Sequence, residues 1–278
     1  MQNQLTLTPK NPLLDDLIKE LSVEDLDVPT LEGIIDRLFK TTKSTITSFI
    51  KDTSSQLSSI TGFQPPPTIS AEQKKLLSDT KFSSISSNFI LVPYGFKGSL
   101  VDYASALGEG LTLQHALLLR YLDDSAMRIS KVLNNDLDLT HYTALSINGY
   151  TKSRKEINKS INGKYFKTGT GKDRAQVMDV IRNLKEIDAL KKEVSKYHEL
   201  IDNKHIKNIT KEMDEILRLI KIFKKRLLKS KEKPSKQNLK KTAMLLKDLA
   251  EMISFYSVLT YQQLTLNNVT NKLILLVK

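Results

Sequence analysis

From Ile206 to Leu227 the residues Ile206, Ile209, Met213, Ile216, Ile220, Phe223 and Leu227 fall at alternating steps of three and four. Strands alternate with a period of two, so this spacing commits the stretch to a long helix. It is an a/d seam over three heptads, to be buried against another helix. A second series precedes it: Val177, Val180, Ile181, Leu184, Ile187, Leu190, Val194, Tyr197 and Ile201, predicting a helix over about 173–201. A continuous helix would next place Lys204 and Asn208 on the seam, so the phase breaks at Asp202-Asn203-Lys204. The break fits an antiparallel hairpin with a tight turn; a kinked continuous helix is the alternative.

The same stretch concentrates the charge. Thr151 to Lys247 carries 28 Lys and Arg against 12 Asp and Glu, while the remainder of the chain is net negative, the whole summing to +12. The expectation is an all-α fold: an elongated helical bundle with a long antiparallel helical hairpin, coiled-coil-like and cationic, protruding as an arm. At most minor β is expected, near the N-terminus (Gln4 to Thr8) and over residues 86–92.

Elsewhere the helical signals are weaker but readable. Asn11-Pro12 offers an N-cap and a first-turn proline, predicting a short helix through Leu13, Leu14, Leu17, Ile18 and Leu21. Pro29-Thr30 leads into a longer helix whose apolar face runs from Leu31 through Ile34, Ile35, Leu38, Ile46 and Phe49 to Leu57. Its other face is rich in Ser and Thr, indifferent helix formers, so it needs packing to be stable. Pro65-Pro66-Pro67 follows as a stiff connector. Ser99 to Leu107 reads as a helix closed by Gly108 and Gly110, with a second, core helix from Thr112 to about Asn134. Ser146-Ile-Asn-Gly echoes at Ser160, two short helices ending alike. A last helix is expected from about Ser235 to Leu276, apolar on two faces in its first half and polar at Asn267 and Asn271. The predicted segments are an N-terminal helical segment over 1–64, a Pro/Ser-rich connector over 65–97, a short-helix body over 98–165, and the basic hairpin with the terminal helix over 166–278.

Composition narrows the function. With no Cys, disulfides, thiolate metal sites and cysteine nucleophiles are excluded. No run approaches 18 apolar residues and the first ten residues lack a signal-peptide pattern, so a cytoplasmically made protein without a membrane span is expected. Thr168-Gly-Thr-Gly-Lys-Asp173 falls short of a phosphate loop: Phe166 stands at the required first glycine and Asp173 at the required hydroxyl. The histidines His115, His141, His198 and His205 show no ligand spacing, although His198, Asp202 and His205 fall near the expected hairpin tip; they read as solvated. The carboxylate pairs Asp15-Asp16 and Asp123-Asp124 are adjacent in sequence and splay on a helix. No catalytic, cofactor or metal site is expected.

The strongest functional candidate is a basic run: Lys221, Lys224, Lys225, Arg226, Lys229, Lys231, Lys233, Lys236, Lys240 and Lys241, opposed within it only by Glu232. Lysine-rich and poor in aromatics, it suits phosphates or an acidic protein surface rather than base readout. The expected function is a non-enzymatic structural or assembly protein, packing long helices with itself or with other subunits. The Lys/Asn/Ser/Ile-rich, Cys-free and Trp-free composition suits a bacteriophage virion component contacting packaged DNA. A sequence-non-specific protein binding DNA or RNA through the same run is the second expectation.

Overall fold

The computed structural model describes residues 12–59, 99–134, 151–157, 159, 184–229 and 236–276, and these are almost wholly α-helical. The helices are α1 (Pro12–Leu21), α2 (Val28–Ser59), α3 (Leu100–Asn134), α4 (Leu184–Lys196), α5 (Asn203–Lys229) and α6 (Lys236–Leu276). A 3-10 turn over His198–Ile201 joins α4 to α5. Residues 151–157 form a further helical piece. The two strands expected near 4–8 and 86–92, the 65–97 connector, the Asn-Gly echo and the Thr168–Asp173 turn lie outside the described residues.

Local chemistry sets where the helices start. Asp27 caps α2, its Oδ1 accepting from the Thr30 amide at 2.9 Å, and Ser99 Oγ accepts from Val101 and Asp102 at the head of α3. Asp202 does the same for α5, accepting from the His205 amide at 2.6 Å. The threonines of α2 are satisfied within the helix: Thr41, Thr42, Thr45 and Thr47 donate to carbonyls four residues back. The Thr42 hydroxyl also lies 3.2 Å from the Leu246 carbonyl of α6, which ties this otherwise weak helix to its neighbour.

Cross-links between helices give the register. Thr42 and Phe49 of α2 meet Leu246 and Tyr256 of α6, so these two helices run the same way. Tyr121 donates to the Leu245 carbonyl at 3.2 Å and Tyr103 to Gln262 Oε1 at 3.1 Å, so α3 runs against α6. Gly108 lies against Tyr197, and His115 against His205, so the α4–α5 rod runs along α3 in the same direction. In cyclic order α2, α6, α3 and α5 form a four-helix bundle, with α4 against α3 and α6 and with α1 folded back on α2. Glu20 of α1 and Arg37 of α2 close that last turn with a bidentate ion pair. One apolar cluster runs through the whole assembly, drawing on all six helices.

α6 is the central helix, about 60 Å long at 1.5 Å per residue. It is buried on nearly every side, which explains its two apolar faces. Leu239, Thr242, Leu246, Leu249, Ile253, Tyr256, Thr260, Gln263, Asn267, Thr270 and Ile274 are all buried and alternate in steps of three and four. This heptad seam turns from apolar to polar halfway along.

Two expectations are corrected. First, α4 and α5 are not an antiparallel hairpin, and no protruding arm is made from them. Among the described residues they share no substantial interface, and both lie on α3. The phase break is spent on a jog: the 3-10 turn and the extended backbone of Asp202 (φ −72°, ψ 162°) end one helix, and the next restarts in line. The jog moves the rod from the α3–α6 groove, which α4 fills, to the α3–α2 groove, which α5 fills. Second, Gly108 and Gly110 end nothing, and α3 runs through both. They are sites of close approach, to Tyr197 and to Ile157.

Candidate functional sites at the bundle end and in the core

The basic run lies at one end of the bundle. Because α5 runs with α3 and α6 runs against it, the last turns of α5 and the first turns of α6 face the same way. The head of α2 joins them there, since Asp27 acts electrostatically with Lys236. Lys221, Lys225, Lys236 and Lys240 are exposed and Lys241 is half-buried. Lys224, Arg226 and Lys229 sit on the last turns of α5, with side chains outside the described part; Lys231 and Lys233 lie wholly outside it. Asp27 faces this group from α2; its own acidity is raised chiefly by the hydrogen bonds from Thr30.

The predicted seam is placed differently from its expected use. Ile206, Ile209, Met213, Ile216 and Ile220 are all buried, but against α3 and α2 of the same chain. Phe223 and Leu227 continue the helix with side chains outside the described part. The described seam is therefore filled by the fold itself and offers no free edge to another subunit.

In the middle of the bundle each of the four helices contributes one ring to a single layer. Phe49 of α2 packs 5.8 Å from Tyr256 of α6 between centroids, Tyr256 lies 6.1 Å from His115 of α3, and His115 lies 4.4 Å from His205 of α5. The Nε2 atoms of both histidines are sealed from solvent and have no hydrogen-bond partner among the described residues. Burial, then the neighbouring His205, pushes the His115 imidazole down to about 4. His205 is also lowered by burial, against the opposing pull of Asp202 and Glu212. His198, on the 3-10 turn, is lowered by burial and drawn up by Asp202 and Glu199. The sequence reading of solvated histidines holds only in part: His115, His198 and His205 are half-buried with Nε2 sealed, and His141 lies outside the described residues. Nothing in the sequence links His115 to His205, ninety residues on. Among the described residues no group of three His, Asp or Glu is placed to hold a metal ion. No helix among them is long and apolar enough to cross a membrane.

A second buried polar group lies on the far half of α6. Gln263 and Asn267 are fully buried, and neither amide has a partner among the described residues. Nearer the middle, Asp248 is 4% exposed, and burial raises its carboxyl to about 6, with the Lys247 amine at 3.4 Å opposing and Glu251 adding to the shift.

Neither a family model, nor a curated protein, nor a solved structure matches this chain.

Proposed function

We propose that this chain is a non-enzymatic structural and assembly protein of a nucleic-acid-filled particle, a bacteriophage virion component, whose basic bundle end lies against packaged DNA. The observation that carries the reading is the gathering of Lys221, Lys225, Lys236 and Lys240, all exposed, at one end of the bundle. Lysine ammonium groups on flexible stems suit phosphates without base readout. The internal use of the α5 seam moves the assembly contact from that seam to the outer surface, where Leu113, Met127 and Met244 are more than 40% exposed. Mass measurement in solution and recovery from the native source test this reading. Self-association or co-purification with particle proteins supports it, and a strict monomer recovered with no partner overturns it.

The exposed lysines also favour a second reading, a sequence-non-specific nucleic-acid-binding protein acting alone. A salt titration with duplex and single-stranded DNA and with RNA decides it. Binding whose log–log salt slope drops by about three to four on changing those four lysines to Gln supports phosphate contact by this end. An absence of binding at low salt removes both the second reading and the DNA contact in the first.

A further inference from the structure

We infer that the His115–His205 layer is a proton-operated latch, which holds α5 to α3 while both imidazoles are neutral and releases it on acidification. The geometry leads to this. The two rings form a direct contact between α3 and α5 at mid-bundle, their centroids 4.4 Å apart. Each ring's Nε2 is buried with no acceptor among the described residues to take a new proton. Protonation therefore places an unpaired cation between packed helices, and a second one repels the first at close range. The helix start that must give way is beside it: α5 is capped by Asp202, three residues before His205, after a break in the rod. A restart of this kind opens locally more easily than a continuous helix.

The groups facing the layer are few. From the α5 side Asp202 and Glu212 favour the charged form of His205, and they bias the first proton towards it. From α3 the facing group is His115 itself, on which His205 is the one charged influence among the described residues. α6 contributes Tyr256, whose phenol is held neutral by burial, and α2 contributes Phe49, which does not titrate. His198 lies one turn before the α5 start and is shifted in the same downward direction.

The sign is that of a base with a depressed folded value. Stability is full above the unfolded value near 6.5 and is lost as pH falls from there towards 4. For His115 alone, opening becomes about thirty-fold more favourable between pH 7.5 and 5.

Hydrogen–deuterium exchange of the full chain, corrected for the intrinsic pH dependence, tests this. At pH 5 the amides at the head of α5 (204–209) and of the facing turns of α3 (112–118) are expected to open more readily by that factor, while the first half of α6 changes much less. In a His115→Gln, His205→Gln double variant the excess is expected to disappear. An equal pH response in the variant, or a rise spread uniformly over the bundle, overturns the latch. Should the variant not fold at pH 7.5, imidazole titration of the unaltered protein by NMR decides instead. His115 remaining neutral well below 6.5 supports it, and an ordinary titration near 6.5 overturns it.

Discussion

Gly108, in the third turn of α3, lies directly against the ring of Tyr197, the residue that follows the end of α4. A Cβ built on Gly108 would sit 2.1 Å from Cδ2 and Cε2 of that ring and 2.5 Å from its Cγ. Contact that close to the ring's root leaves the tyrosine little room to swing aside. The glycine is what lets the end of α4 settle on α3 before the chain jogs.

Gly108→Ala is therefore expected to destabilise the protein. Helix propensity favours alanine by about 1 kcal/mol, but displacing the Tyr197 ring from a packed groove costs about 1–3 kcal/mol, and the groove wins. Gly33 in α2 is the control: it is exposed and a Cβ there meets nothing within 4 Å. Gly33→Ala should stabilise by about 0.5–1 kcal/mol. Urea unfolding of the two variants checks the pair, and a stabilised Gly108→Ala would refute the close-approach role.

The same glycine shows what the sequence could and could not convey. Helix identity and ends were legible where local chemistry decides them. Asn11-Pro12, Pro29-Thr30 and Ser99 mark the starts of α1, α2 and α3 to within a residue or two, and the a/d spacing of Ile206 to Ile220 marks a buried stripe. A glycine near a turn of apolar phase carries two meanings, stop or close approach, and only Tyr197, 89 residues away, separates them. The phase break at Asp202 likewise says that the helix restarts without saying in which direction. That is settled by the grooves of α3, which no local pattern encodes. The basic end was legible because its residues are nearly contiguous. The His115–His205 layer was not, because its four rings come from four helices and share no spacing.

Asp202 supplies a second test of the restart. Its carboxylate accepts from the His205 amide at 2.6 Å, and its carbonyl accepts from Ile206 at 3.0 Å. Asp202→Ala should cost about 1 kcal/mol, while Asp202→Ser, which keeps a capping oxygen, should recover most of it. Thermal unfolding followed by circular dichroism reads both. Equal losses for the two variants would show that the cap is not what holds the start of α5.

Asp248 gives a prediction of the opposite sign to the usual surface carboxylate. Its folded value, about 6, lies above the ordinary 3.8 because burial disfavours the charge. The folded state thus holds the proton more tightly than the unfolded chain. The penalty for ionisation is complete above about pH 6 and vanishes as pH falls below 3.8. Asp248→Asn should accordingly stabilise by up to about 3 kcal/mol at pH 7.5, with the gain shrinking on approach to pH 4. Urea midpoints at the two pH values measure it, and a variant less stable than the parent at pH 7.5 would contradict the assignment.

The polar half of the α6 seam separates stability from specificity. Gln263 and Asn267 occupy fully buried positions where Leu246, Leu249 and Ile253 stand one or more turns earlier, and their amides lack partners among the described residues. A buried amide left unpaired costs about 1–3 kcal/mol. Gln263→Met, which nearly conserves volume, should therefore raise stability by about 1–2 kcal/mol. If such amides fix how α6 registers against α3 and α4, the apolar replacement should also loosen that choice. Sedimentation of the Gln263→Met, Asn267→Leu double variant is then expected to show more association states than the parent. A loss of more than about 1 kcal/mol in Gln263→Met would mean the amide is paired and stabilising. A stabilised double variant that shows no more states than the parent would leave the polar seam without a role in register.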